Sequence, residues 1–243
     1  MANRFVTLAL AALAAATWLP AAWAGTFTIS PLRVDLSRST PTAALTVRNE
    51  NDAEVVVQVE TLQWSQADGQ DVLDPTRDLI ASPAVFTLPA RGSQLIRVAL
   101  RREPDARREL SYRLVVQEVP PARGPDFMGL QVALRMSLPV FVAALAPSPA
   151  QLEWSAAREP DGALAVTARN PSETHARVLS FSAVPATGTA AALEQPVAAY
   201  LLPGQSRRWR LDAGGTPGTS APRYQLLGRT DAGEFTAELP IAQ

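Results

Sequence analysis

Apolar residues alternate with small or polar ones through residues 129–143, Gly-Leu-Gln-Val-Ala-Leu-Arg-Met-Ser-Leu-Pro-Val-Phe-Val-Ala. Leu130, Val132, Leu134, Met136, Leu138, Val140 and Val142 fall on one side; Gln131, Ala133, Arg135, Ser137 and Pro139 fall on the other. Successive Cβ atoms of an extended chain point to opposite faces, so this pattern predicts one long strand with a single apolar face. At ~3.3 Å per residue it would span roughly 50 Å, well beyond the usual five or six residues. Such a strand either faces the protein's own core from a sheet edge or lends part of its apolar face to another protein.

The rest of the chain carries the same period in shorter pieces. Thr26–Leu36 alternates but contains Pro31, which predicts a first edge strand with a break. Ser37–Thr42 is a turn cluster. Ala43–Arg48 and Val55–Trp64 predict strands around the turn Asn49-Glu50-Asn51-Asp52. Residues 66–82 are polar, with Gly69 and Pro75, and predict mostly loop. Ala84–Leu88 and Gln94–Leu100 flank Pro89–Gly92 and predict a hairpin. Arg101–Glu109 is a charged, exposed stretch; Leu110–Val119 is another strand, closed by Pro120-Pro121; residues 122–127 form a short loop.

Further strands are predicted at Gln151–Ser155, Leu164–Arg169, Ala176–Val184, Val197–Leu202, Arg208–Leu211, Arg223–Arg229 and Glu234–Pro240. Short strands at this spacing, with Gly/Pro/Asn turns and almost no helical period, predict an all-β protein of two immunoglobulin-like sandwiches. The proline-bearing stretch 144–149 is the expected linker, between a first domain over 25–143 and a second over 150–243. A weak repeat supports the duplication. Ala44-Leu45-Thr46-Val47-Arg48-Asn49 echoes Ala165-Val166-Thr167-Ala168-Arg169-Asn170, and Leu88-Pro89-Ala90-Arg91-Gly92 echoes Leu202-Pro203-Gly204-Gln205.

Composition narrows the setting. Residues 1–24 read as a secretory signal: Arg4, an apolar run from Phe5 to Ala16, and Ala22-Trp23-Ala24 as a small-x-small cleavage site. Cleavage after Ala24 would leave 243 − 24 = 219 residues, and the periplasm is the expected compartment. The chain has no cysteine, hence no disulfide or thiolate metal site. Its formal charge of −1 does not point to nucleic acid or an anionic membrane. All 22 basic residues are arginine, so an anion site must use guanidinium groups or backbone N–H groups.

Catalytic signals are poor. There is no Gly-x-Ser-x-Gly elbow, and a chain without lysine has no Walker A loop. The single histidine, His175, follows the turn Asn170-Pro171-Ser172-Glu173-Thr174 and is expected to be a solvated loop residue. Asp68, Asp71, Asp74 and Asp78 lack the spacing of a calcium loop and are expected to be solvated as well. Neither an enzyme, a metal site nor a cofactor is expected.

Three stretches carry a resemblance. Ser30-Pro31-Leu32-Arg33-Val34-Asp35-Leu36 resembles the first strand of periplasmic pilus-assembly chaperones of the PapD-like family, with its cleft arginine. Residues 108–121, from Arg108-Glu109 to Pro120-Pro121, resemble that family's sixth strand, and Leu130–Leu134 resembles the start of its donor strand. The family's lysine partner of the cleft arginine would fall at Pro139, which offers neither charge nor N–H. Ser137–Val142 resembles instead the archaic branch that serves spore-coat-U-like (Csu-like) adhesive pili.

The resemblance implies a chaperone that folds, caps and delivers pilus subunits to an outer-membrane usher by donor-strand complementation, without ATP, a cofactor or membrane insertion. It implies that Arg33 anchors the terminal carboxylate of a bound pilin, with Arg97 and Arg135 as candidate second donors. It implies a donor strand presenting Leu130, Val132, Leu134 and Met136, and Arg97 with Glu109 as a structural ion pair. Beyond Met136 a changeover is expected, with Leu138, Val140 and Val142 filling the chaperone's own core. Two other readings stand beside it. One is a secreted adhesin or carbohydrate-binding module using Trp64, Trp154 or Trp209 as stacking platforms, although each is more readily a core residue. The other is an exported hydrolase on a β scaffold.

Overall fold

The computed structural model describes residues 27–121, 132–186, 193–211 and 223–242. The expected export signal with its cleavage site, the loop 122–127, and Leu130 of the donor series lie outside these residues.

The first ten strands are β1 (Phe27–Ser30), β2 (Val34–Leu36), β3 (Thr42–Asn49), β4 (Val55–Ala67), β5 (Gln70–Pro75), β6 (Leu79–Ser82), β7 (Val85–Leu88), β8 (Ser93–Leu100), β9 (Leu110–Val119) and β10 (Arg135–Val142). They form two facing sheets, one ordered β1-β3-β8-β6 and one ordered β2-β10-β9-β4-β5, with β7 paired to β4. Alternation puts Leu45, Val47, Ile96 and Val98 of the first sheet against Val57, Val59, Leu114, Val116, Leu138 and Val140 of the second. The break expected around Pro31 is a change of sheet: β1 pairs antiparallel with β3, whereas β2 pairs parallel with β10.

Three expectations are corrected here. The strand expected over 129–143 begins, among the described residues, at Arg135 and is eight residues long. Its ladder with β9 runs out: Glu118 N–H donates to Leu134 O at 2.9 Å, Val119 is the last strand residue, and two prolines without N–H follow. Residues 66–82 are not mostly loop but hold β5 and β6. Asp68 and Gly69 both have positive φ, 51° and 73°, as a two-residue hairpin turn requires, and Ala67 pairs with Gln70 across it. Because β5 is an exposed edge strand, Gln70, Asp71, Asp74 and Pro75 carry no apolar alternation that would have revealed it. Finally, Pro89–Gly92 closes no hairpin: β7 pairs with β4 and β8 with β3 and β6, so the chain crosses between sheets there.

The second sandwich contains β11 (Glu153–Arg158), β12 (Leu164–Arg169), β13 (Ala176–Pro185), β14 (Leu193–Leu201), β15 (Ser206–Leu211), β16 (Arg223–Thr230) and β17 (Gly233–Ala242). Their hydrogen-bonded path runs β14-β13-β16-β17-β11-β12-β15. β17 joins the two layers, pairing antiparallel with β16 and, at Ile241–Ala242, parallel with β11. The core between the layers holds Val166, Val178, Phe181, Leu226 and Leu239. Trp154 stacks on Phe235 at 5.0 Å, and Trp209 meets Phe181 edge-on at 5.3 Å, so both tryptophans pack against this core.

The sequence repeat is a repeat of hydrogen bonds. Asn49 and Asn170 are both fully buried. Asn49 Nδ2 donates to the carbonyls of Ala53, Leu88 and Pro89; Asn170 Nδ2 donates to those of Thr174, Leu201 and Leu202. Each side-chain carbonyl accepts the N–H two residues on, at Asn51 and Ser172. One asparagine in each sandwich thus ties the strand it ends to a neighbouring strand end, satisfying carbonyls that would otherwise be buried unpaired.

The sandwiches meet through both main chain and side chains. Glu109 N–H donates to Glu173 O at 2.9 Å, Leu202 N–H donates to Gln66 Oε1 at 3.0 Å, and Arg108 Nη2 donates to Pro203 O at 2.8 Å. Trp64, Phe141 and Leu202 form a separate apolar cluster with Tyr200 at this junction.

Candidate functional site

His175 is not a solvated loop residue: it is 7% exposed. The turn pinned by Asn170 delivers it to the junction at the start of β13. Its ring lies flat on Phe141 of β10, with centroids 3.6 Å apart and planes 5° from parallel. Its Nδ1 is 2.6 Å from Glu109 Oε1, and its backbone N–H donates to the same oxygen at 3.1 Å. Glu109 immediately precedes β9, so the first sandwich supplies the carboxylate and the second the imidazole. The period-2 pattern could not show this, because the partners lie 66 residues apart in two turns.

The expected Arg97–Glu109 pair is corrected accordingly. Arg97 stands exposed on β8, in the sheet opposite β9, and the carboxylate of Glu109 is taken by His175.

Arg33 lies between β1 and β2 at the mouth of the cleft, with its side chain 42% exposed. Its Nε donates to both oxygens of Asp35 at 2.9 Å. Its guanidinium carbon is 5.8 Å from the centre of the Phe141 ring, and its Nη1 is 3.7 Å from Asp231 Oδ2. The Asp35 hydrogen bond holds the Arg33 pKa above its ordinary value, against the opposing effect of burial. Arg33 is therefore a fixed cation whose Nη edge faces the second sandwich.

The strand register places the other candidates. β2 pairs with β10 from Val34↔Val140, so one step back Pro139 stands beside Arg33. On its other side Pro139 pairs with Arg113 of β9. Arg113, which sequence reasoning missed, lies 3.6 Å over the Trp64 ring and 3.3 Å from Asp71. Burial pulls its pKa below the ordinary arginine value, with Asp71 opposing. The available signal was a lone arginine inside the apolar run Tyr112–Val116. Arg135 is exposed on the same face as Pro139 but four strand positions away, ~13 Å along the strand.

The acidic residues of 68–78 are spread out. Asp71 accepts from Gln66 and Arg113, and Asp78 accepts from Arg102 and from the hydroxyl of Tyr112.

Burial falls steadily along the alternating face. Val140 and Val142 are fully buried and Leu138 nearly so; Met136 and Leu134 are half-buried against the same core; Val132 is 54% exposed. On the β2 side, β10 is paired only from Val140 onward, so among the described residues its backbone from Arg135 to Pro139 borders no strand on that edge. The site therefore combines an open sheet edge, a row of progressively exposed apolar side chains and a fixed guanidinium where the edge closes.

Residues 26–147, just over half of the chain, match the family described as "Pili and flagellar-assembly chaperone, PapD N-terminal domain". No curated protein matched by sequence. Among solved structures, a chain of the CsuC–CsuE chaperone–tip adhesion pre-assembly complex from the archaic Csu pili of Acinetobacter baumannii is similar, with a TM-score of 0.64 at 19% identity over 90% of this chain and 100% of that one. The E. coli chaperone DraB gives 0.61 at 22% identity, over 88% of this chain and 97% of that one. A chain of the Salmonella enterica SafA pilin–SafB chaperone complex gives 0.62 at 18% identity, over 90% and 98%. The two-sandwich fold and the family match agree, and the chain belongs to the PapD-like family of pilus-assembly chaperones.

Proposed function

We propose that this protein is a periplasmic chaperone that caps pilus subunits by lending them β10 and the segment before it, and that it passes them to an outer-membrane usher. In this reading residues 1–24 are an export signal removed after Ala24, residues 25–143 form the chaperone domain, 144–149 link, and 150–243 form the second domain. The observation that carries the reading is the open β10 edge that ends at Arg33.

A pilin strand that enters the lane ahead of β2 in the direction of β2, parallel to β10, would bring its C-terminus against Arg33. The main chain adds hydrogen bonds by β-augmentation, while Val132, Leu134 and Met136, with Leu130 ahead of them, enter the groove of the pilin. Each fully buried side chain contributes ~1.5–3 kcal/mol as an upper bound. The Nη edge of Arg33 suits bidentate recognition of the pilin's terminal carboxylate. Such capture and exchange require no covalent chemistry, cofactor or ATP. The match to CsuC–CsuE and the stretch Ser137–Val142 favour a pilin of the archaic, spore-coat-U-like kind. The adhesin reading is weakened because Trp64 is 3% exposed and Trp154 and Trp209 pack against the second core.

Co-expression with a small exported spore-coat-U-like pilin and affinity capture of the chaperone tests the proposal. A stoichiometric complex is expected. A pilin that stays insoluble or free in the presence of the chaperone overturns it.

A further inference from the structure

Asp231 occupies the two-residue turn between β16 and β17. Its N–H donates to Arg177 O at 3.0 Å, and its Oδ1 accepts the Arg177 N–H at 3.1 Å. The remaining oxygen, Oδ2, lies 3.7 Å from Arg33 Nη1 and 3.7 Å from His175 Nε2. Neither distance is a hydrogen bond. His175 Nε2 is buried and has no hydrogen-bond partner among the described residues. A buried polar atom with a carboxylate just out of reach, and a guanidinium equally far on the other side, describes an oxygen placed between two partners.

We infer that Asp231 is a two-position carboxylate. In the empty cleft it stands in for a pilin's terminal carboxylate near Arg33; when that carboxylate takes Arg33, Asp231 passes to His175 Nε2. The inference rests on the proposed role of Arg33 as the pilin anchor.

Proton balance sets the terms of the handover. Two carboxylates face the ring: Glu109 from the head of β9, in contact with Nδ1, and Asp231 from the β16–β17 turn, 3.7 Å from Nε2. Phe141 of β10 covers one ring face, Tyr200 of β14 lies 5.7 Å away, and the cations nearby are Arg33, over Phe141, and Arg177 of β13, over Tyr200. With Glu109 ionised, the 2.6 Å contact puts the ring proton on Nδ1. A neutral ring is then bare at Nε2 and repels Asp231. A hydrogen bond to Asp231 requires a second proton on Nε2, drawn from solvent. Loading thus brings one carboxylate to Arg33 and one proton to His175, and the net charge of the junction is unchanged. His175 then bridges Glu109 of one sandwich and Asp231 of the other, while resting on a side chain of the strand that is lent. Asp231 acts through its neighbours and is a positioning residue for pilin capture.

The chain has a single histidine, so the imidazole ¹⁵N spectrum of the full protein contains one pair of ring signals. The spectra are compared at one neutral pH for wild type, Arg33→Gln and Arg33→Gln/Asp231→Asn. Arg33 is half-exposed, so its loss does not threaten folding, and a thermal melt checks this; Arg33→Ala replaces Arg33→Gln if needed. The wild type is expected to show a bare Nε2. Removal of Arg33 frees Asp231, and an Nε2-protonated ring signal, with a hydrogen bond to Asp231, is expected to appear. The double variant is expected to return to the wild-type pattern, which separates the handover from simple loss of a nearby cation. An Nε2 already protonated in wild type, no change in the single variant, or a proton kept in the double variant each overturns the inference. None of these results depends on a pilin, so failure here leaves the capture experiment standing, and failed capture leaves the histidine result standing.

Discussion

His175 Nδ1 and Glu109 Oε1 lie 2.6 Å apart, and the two residues come from different sandwiches. Their side chains are 6% and 8% exposed. Removing one member of such a pair leaves the other desolvated, which costs more than the intact pair contributes. His175→Ala leaves the Glu109 carboxylate with the His175 backbone N–H and removes the ring stacked on Phe141. The expected cost is about 3 kcal/mol. It is expected to fall on the junction, so calorimetry should show one unfolding transition splitting into two. A single transition at the wild-type temperature would mean that Trp64, Phe141, Leu202 and Tyr200 carry the junction alone.

The two buried asparagines make a second prediction. Asn49→Ala frees the carbonyls of Ala53, Leu88 and Pro89; Asn170→Ala frees those of Thr174, Leu201 and Leu202. An unsatisfied buried group costs ~1–3 kcal/mol, and water entering the space left by the amide relieves part of it. A loss of about 2–4 kcal/mol is expected from each substitution, confined to its own sandwich. Hydrogen exchange resolves the location: β3, β7 and β8 should lose protection in the first variant, and β12, β14 and β15 in the second. Equal losses in both sandwiches from either variant would contradict the repeat.

Arg33→Ala tests the anchor. Arg33 bonds chiefly to Asp35, which is itself exposed, so the free protein is expected to melt within about 0.5 kcal/mol of wild type. A charge-assisted hydrogen bond nets ~1.5–3 kcal/mol, so retention of the pilin is expected to fall by roughly 10- to 150-fold. Undiminished capture of the pilin would move the anchor elsewhere, and Arg113, two lanes away across Pro139, would be the next residue to replace.

The fold was legible where one face is wet and the other dry. β16 and β17 lie within two residues of the predicted spans, because alternation between water and core writes itself into the sequence; β9 and β12, apolar and buried on both faces, are bounded instead by turn residues such as Pro120-Pro121 and Asn170. Edge and crossover elements were less legible. β5 has one apolar residue on each face, Val72 and Leu73, among polar ones, so it shows no alternation, and only its Asp68-Gly69 turn announced it. The run after Leu88 was read as a hairpin because local sequence shows that a chain turns, not which sheet it joins. Arg33 could be picked out through its strand motif, but its partners Asp35 and Asp231 required coordinates. His175 was misread for a related reason: a histidine after a turn is usually solvated, and its burial here depends on a glutamate and a phenylalanine from the other sandwich. Pattern reports burial within one element; it is silent on contacts between turns of different domains.

The burial gradient along β10 and the residues just before it sets the last prediction. Sequence alternation alone gives Val132, Leu134 and Val140 the same standing, whereas the structure separates them. Val140 is fully buried in the core of the first sandwich, so Val140→Asp places an unpaired carboxylate there. That costs several kcal/mol, comparable with the whole stability of ~5–15 kcal/mol, and the free protein should unfold. Val132 is 54% exposed, and Val132→Asp should leave the melt of the free chaperone within about 0.5 kcal/mol of wild type. Leu134 lies between: it is half-buried against the core, so Leu134→Asp should cost about 1–2 kcal/mol rather than nothing. In the complex the order changes. If the segment is lent, Val132 and Leu134 both enter an apolar groove, and an aspartate at either is desolvated only there. Capture of the pilin should then be abolished by Val132→Asp and Leu134→Asp alike, although only one of them weakens the free protein. Melts and captures of the three variants together decide the matter. Capture that follows the stability of the free chaperone, with Val132→Asp binding as well as wild type, would mean that the alternating face serves this protein's own core alone.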